Sequence, residues 1–240
     1  MYDKTQLENS VGLEGAVLPA AAVAHCARVA KRSDECRNYL QHVWLERIDS
    51  GEGKSEFWMV STDGWVLAAY CWHLDGDEIV EAPYVYRKGE RGELDTKLEI
   101  PSFEVGTKVC LRCDSGLGRT LQAVGMAAKE CITFSADGRT ARVWAYAGTD
   151  KEDVVKTGLN AMFVSYKRLL NSVTLPLHPD ALIDAKLLAD AHPVPGGVGV
   201  PVKLESGCEV AEKPLNGPIS VLPNRVNRKA NHFLFMPRKH

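Results

Sequence analysis

Cys110-Leu-Arg-Cys113 holds the residues whose spacing could most directly do chemistry, because two thiolates separated by two residues form half of a zinc site or a redox pair. A structural zinc needs four ligands, and the other cysteines (Cys26, Cys36, Cys71, Cys131 and Cys208) supply no second close pair. Gly116-Leu-Gly118-Arg-Thr is the next candidate, since glycine-rich loops can cradle phosphates. It lacks the third glycine of a dinucleotide fingerprint and the Gly-Lys-Ser/Thr ending of a phosphate loop, so it reads as a turn. No GxSxG or HExxH occurs, and the seven histidines show no ligand spacing. The sequence therefore names no nucleophile, no metal site and no cofactor. A non-catalytic interaction protein is the leading class, with a small cysteine-dependent or metal-dependent enzyme as the alternative.

The chain has 240 residues, 45% of them hydrophobic, enough to bury a core in one large domain or two of ordinary size. Its net charge of −2 conceals an asymmetry. Six basic residues and no acid follow Glu212 (Lys213, Arg225, Arg228, Lys229, Arg238, Lys239), whereas residues 1–212 hold 23 basic against 31 acidic side chains. That distribution permits an anionic partner on one surface. The opening MYDKTQLENS is polar, and the cysteine count of seven is odd. The most apolar run, AVLPAAAVAHCARVA, is broken by Pro19, His25 and Arg28, well short of the roughly 20 apolar residues that span a bilayer. These features predict a soluble, cytoplasmic protein in a reducing compartment, with no membrane partner.

The elements that must position any site follow from periodicity. Residues 19–32 predict a helix with Pro19 in its first turn, a stripe of small apolar residues, and His25, Arg28 and Arg32 together on another face. CRNYLQHVWLERID, EFWMVST and WVLAAYCWHL then predict an antiparallel meander, its second turn formed by Thr62-Asp63-Gly64. CITFSADGRTARVWAYAG predicts a hairpin with Ala136-Asp137-Gly138 at its tip. Residues 102–125 give no clear signal. A short helix is expected over 181–191, capped by Asp180, followed by strands in GVGVPVKLESGCEVAE, GPISVLPNRV and HFLFMPRK. Helix, strands, helix, strands, with no helix between successive strands, predicts an antiparallel α+β fold.

In this setting RNYLQHVWLE followed by VSTDGWVLA resembles the middle domain of the bacterial sliding clamp, the β subunit of the replicative DNA polymerase III. That family carries an Arg-Tyr-Tyr-Leu strand before an Ala-Thr-Asp-Gly-His-Arg-Leu turn. SYKRLL resembles its Asp-Tyr-Arg-Arg segment, FLFMPRK resembles its terminal Val-Met-Pro-Met-Arg-Leu, and the helix at 19–32 stands where the domain's first helix should. The segments occur in the family's order over roughly residues 15–240. The resemblance implies DNA-clamp-like domains with antiparallel sheets and helices packed on one face. It also implies a hydrophobic cleft that takes partner peptides with Leu or Phe anchors, built from Leu40, Thr62, Gly64, Trp65, Val66, Leu67, Val164, Arg168, Leu169, Leu234 and Met236. Trp65-Val66 replaces the family's His-Arg and Val164 its proline, so partner preference is expected to differ.

A sliding clamp encircles duplex DNA without reading sequence, which requires long cationic side chains on its inner wall. His25, Arg28, Arg32, Arg37 and Tyr39 are the residues the resemblance assigns to DNA. The implied function is that of a processivity factor for DNA replication, with no catalysis of its own, that tethers DNA polymerase or other proteins carrying a clamp-binding peptide. Residues 1–172 would be one clamp-like domain with insertions and 173–240 a shortened second one, closing a ring as a homo-oligomer, trimer or dimer. The alternative within the same fold is a non-ring adaptor or decoy that binds replication proteins.

Overall fold

Three long strands with apolar residues on both sides of the pleat build the centre of the molecule. They are β2 (His42–Gly51), β3 (Lys54–Thr62) and β4 (Val66–Asp75), each antiparallel to the next. The computed structural model describes residues 14–30, 40–83, 104–106, 108–112, 131–136, 140–146, 150–156, 165–170, 175–176, 185–191, 202–206, 219–223 and 231–235. The tight β2–β3 turn runs through Gly51, Glu52 and Gly53, all at positive φ, a conformation glycine adopts without steric cost. Before the meander stand β1 (Glu14–Pro19) and helix α1 (Ala20–Ala30).

After it come β5 (Glu78–Glu81), β6 (Lys108–Arg112), β7 (Cys131–Ala136), β8 (Thr140–Tyr146) and β9 (Asp150–Lys156). The chain continues through a one-turn helix α2 (Tyr166–Leu170), β10 (Leu175–Pro176), helix α3 (Ala185–Ala191), β11 (Val202–Ser206), β12 (Ile219–Pro223) and β13 (Asn231–Phe235).

These strands form two sheets. One has four strands in the order β1-β7-β8-β9; the other has nine, running β10-β11-β12-β13-β4-β3-β2-β6, with β5 also on β4. The segments β1-α1-β2-β3-β4 and β10-α3-β11-β12-β13 repeat one strand-helix-three-strand order, and they meet where β13 pairs antiparallel with β4, from Asn231 opposite Tyr70 to Phe235 opposite Val66. The predicted antiparallel α+β class is what the structure has.

Helices α1 and α3 cover one face of the large sheet. There Val43, Leu45, Phe57, Met59, Val66, Tyr70, Trp72, Ile219, Val221 and Phe233 join Ala22, Val23, Cys26, Ala27, Val29 and Ala30 of α1 and Leu187 and Ala191 of α3 in a single cluster. Residues 185–235 thus share the core of residues 18–74. The opposite face carries a second cluster of Leu40, Trp44, Trp58, Val60, Leu67, Ala69, Cys71, Cys110, Tyr166 and Leu234. A sheet buried on both faces explains why its central strand β4, VLAAYCWHLD, is apolar at nearly every position.

Three local readings change. Pro19 ends strand β1 instead of opening the helix, which is tolerated because β1 is an edge strand and needs no ladder donor there. The unclear 102–125 region contains β6, which extends the sheet along β2. Strand β9 had no sequence expectation; four of its first four residues are charged, so no apolar alternation marks it. The hairpin tip beyond Ala136, Asp180, Cys113 and the Gly116 loop lie outside the described residues.

Candidate protein-interaction site

The Thr62-Asp63-Gly64 turn holds itself by side-chain bonds to its own backbone, as Asp and Thr do in tight turns. Asp63 Oδ1 accepts the amides of Trp65 (2.8 Å) and Val66 (2.7 Å). Thr62 Oγ1 accepts the Gly64 amide (3.0 Å) and donates to the Val66 carbonyl (2.6 Å). Gly64, at φ 90°, takes the left-handed step that closes the turn. The turn leaves Trp65 with 42% of its surface in water, while Leu67, two residues on, drops into the second cluster.

Leu67 lies opposite Thr62 of β3 on one side and Leu234 of β13 on the other. Leu40, Leu67 and Leu234 therefore come together, beside Tyr166 of α2. Helix α2 is docked on this face through its first two residues. The Tyr166 hydroxyl donates to Glu46 Oε1, and Lys167 Nζ donates to Glu56 Oε2 (3.1 Å) while lying 5.3 Å from the centre of the Trp58 ring. Arg168 and Leu169 project outward, and Leu169 is 37% exposed. Trp65 and Leu169 are thus large apolar groups in water, each two or three residues from a buried member of one cluster.

The electrostatics beneath α2 are unusual for a sheet face. Glu46 is buried, with Tyr166 on one oxygen and Lys108 Nζ 3.5 Å from the other. Burial alone would push the Glu56 carboxyl up, but hydrogen bonds from the Trp58 indole (2.7 Å) and Lys167, with the charges of Lys167 and His73, bring it below the usual carboxylate range. His73 lies between Glu56 (3.9 Å) and Glu81 (3.8 Å). Burial, then the carboxylates, raise the Tyr166 hydroxyl and the Cys71 thiol far above their ordinary values, and burial with Glu46 pushes Cys110 to about 12. Thiols held neutral in this way are poor nucleophiles and poor metal ligands. Among the described residues, no group of three His, Cys, Asp or Glu is placed to hold a metal ion, and no helix is long and apolar enough to cross a membrane.

Two expected site residues are corrected. Val66 is fully buried in the α1-side cluster while its β4 neighbour Leu67 enters the opposite one, because side chains alternate along a strand. His25 is not a phosphate contact. It is 1% exposed, with Nδ1 2.9 Å from the Tyr70 hydroxyl, Nε2 3.3 Å from the Asp190 carbonyl, and Tyr70 and Phe233 packed edge-on against its ring. The reason is that α1 is enclosed: it touches β1 and β7 of the small sheet as well as β2, β3, β4 and α3. From Ala22 to Ala30 every residue is buried except Arg28, which is half-buried.

Val164, Met236, Arg32, Arg37 and Tyr39 lie outside the described residues. Sequence reasoning missed Glu46, Glu56, Trp58 and Tyr166. The signal for the first three was an acid two residues from a tryptophan on each strand, Glu46 after Trp44 and Glu56 before Trp58, a pattern odd for a solvated strand face.

No family model matches the chain, and no curated protein does. Solved structures do. The Caulobacter crescentus β sliding clamp aligns with 100% of this chain and 68% of its own at 12% identity and a TM-score of 0.54. The Bartonella birtlesii clamp, solved with griselimycin, aligns with 95% of this chain and 66% of its own at 11% identity and a TM-score of 0.56. The Helicobacter pylori clamp, solved with 3,4-difluorobenzamide, aligns with 94% and 66% at 13% identity and a TM-score of 0.50. The chain spans about two thirds of the length of these clamps. With its repeated strand-helix-three-strand order and helices laid on antiparallel sheets, it has the fold of the bacterial DNA polymerase III β sliding clamps.

Proposed function

We propose that the protein is a non-catalytic, sliding-clamp-like accessory factor of DNA replication that takes a short peptide from DNA polymerase or another partner on the face marked by Trp65 and Leu169. The observation that carries this reading is the pairing of two exposed large apolar side chains with one buried cluster, on a clamp fold. Peptide anchors of Leu or Phe would pack against Leu40, Leu67, Leu234 and Leu169, with Thr62, Gly64 and Arg168 at the rim and Val164 and Met236 completing the walls. An exposed tryptophan suits such a site because it offers large contact area at low entropic cost.

In the same reading duplex DNA is encircled, with Arg28, Arg32, Arg37 and Tyr39 contacting phosphates. Residues 1–172 act as one clamp-like domain and 173–240 as a shortened second one, and a homo-oligomer, trimer or dimer, closes the ring. The test is retention on nicked circular DNA. A ring is retained on the circle and released when the DNA is linearised, and light scattering finds a closed oligomer, a trimer being three times 26.4 kDa.

The enclosure of α1 favours a second reading, because a helix buried along nearly its whole described length presents little charge to a duplex. In that reading the fold serves as a non-ring adaptor or decoy for replication proteins. It predicts a monomer that binds peptide and elutes equally from circular and linear DNA.

A further inference from the structure

Glu46 and Glu56 stand on adjacent strands and point to the same face as Trp44, Trp58 and Cys71. Across the strands Glu46 lies opposite Trp58, Trp58 opposite Cys71, and Glu56 opposite His73. A carboxylate buried under a sheet face is costly unless its oxygens are bonded. Besides Lys108 at Glu46 and the Trp58 indole at Glu56, the first two residues of α2 supply bonds, Tyr166 to Glu46 and Lys167 to Glu56, across more than a hundred residues of sequence. The five residues of α2 are too few to be helical on their own, so its placement depends on docking. The same five residues carry Arg168 and Leu169 outward.

We propose that Glu46 and Glu56 form a two-point latch that docks the Tyr166–Leu170 helix on the sheet, and so act as positioning residues for the peptide site without touching the peptide. The latch rests on the peptide-site reading only for its purpose; its mechanics can be tested separately. With both points closed, Tyr166 and the buried Cys71 belong to one cluster, and Leu169 is held at one place on the surface. With them open, the helix loses its anchors, Cys71 becomes accessible, and Leu169 no longer has a fixed position relative to Trp65. The core on the other face, including Cys26, does not depend on the latch.

The experiment compares the full-length wild type with Glu46→Ala/Glu56→Ala, Glu46→Gln/Glu56→Gln and Tyr166→Phe. Maleimide labelling is read at each cysteine by peptide mapping, and a fluorescein-labelled peptide with Leu and Phe anchors is titrated in parallel. The double alanine variant should label Cys71 at least about tenfold faster, equivalent to ~1.4 kcal/mol of docking energy, with Cys26 unchanged. Tyr166→Phe, which keeps the ring and so protects the fold, should label Cys71 faster by a smaller factor. The glutamine variant keeps acceptor oxygens at both points but loses the charge that pairs with Lys167, so it should label Cys71 at a rate between the wild type and the double alanine variant. Peptide affinity should fall in the same order.

Equal Cys71 labelling in wild type and Tyr166→Phe overturns the latch, as does a parallel rise at Cys26 and Cys71, which means general loosening. If the wild type takes no peptide, the peptide-site reading fails while the labelling result still decides the latch.

Discussion

The two faces of the large sheet bury different chemistry. Against α1 and α3, the sheet sets Leu45, Phe57, Met59, Tyr70 and Trp72, and its polar groups find partners nearby: His25 with Tyr70 and a carbonyl, Arg47 with Ser55, Gly76 and Asp77. Against α2, it sets Trp44 and Trp58 beside the carboxylates of Glu46 and Glu56, with Tyr166 of that helix in the same cluster and Trp65 and Leu169 left in water. The first face is covered by elements of its own repeat. The second cluster is buried as well, but Trp65 and Leu169, each two or three residues from one of its members, stay exposed, as groups that a docking peptide would cover do.

The contrast can be broken most severely on the helical face. Trp72→Ala should cost about 3–5 kcal/mol, because it empties a fully buried site that packs against Phe57, and thermal or denaturant melts will register it. His25→Ala comes next, at roughly 1–3 kcal/mol, since it leaves the Tyr70 hydroxyl and the Asp190 carbonyl without their shared partner. Its DNA retention should equal that of a comparably destabilised control, which separates a core histidine from a phosphate ligand.

On the opposite face the order of effects reverses between stability and binding. Trp65→Ala should change stability by no more than about 0.5 kcal/mol, as an exposed residue does, yet weaken peptide binding about tenfold or more, measured by anisotropy. The smallest effect is a pH dependence. Because the Glu56 carboxyl lies below its unfolded value, the docking it supports is fully present at neutral pH and lost as the pH falls through its folded value. Cys71 labelling, taken relative to a free thiol at the same pH because the thiolate is the reacting form, should therefore rise on acidification in the wild type and respond less in Glu56→Gln.

Much of the fold was legible because it obeys period. Apolar alternation located β2, β3 and β4 and the C-terminal strands, and small residues at helical spacing located α1. Alternation along β4 alone would have put Val66 on the face opposite Leu67. What stayed hidden lacked a local signal. Charges mask β9, and Pro19 imitates a helix start. His25 shares helical spacing with Arg28 and Arg32, yet an imidazole can be satisfied inside a core where a guanidinium seldom is. The Glu46–Tyr166 and Glu56–Lys167 bonds join residues over a hundred positions apart, and no spacing rule reaches that far.

The central claim is that the face carrying Trp65 and Leu169 binds peptide, and it is tested most directly by titrating the fluorescein-labelled Leu/Phe peptide into the wild type and a Trp65→Ala/Leu169→Ala variant whose melting temperature matches it. Saturable binding by the wild type, weakened at least about tenfold in the variant, is the predicted result. Equal affinity in the two proteins, or no binding by the wild type, would contradict it.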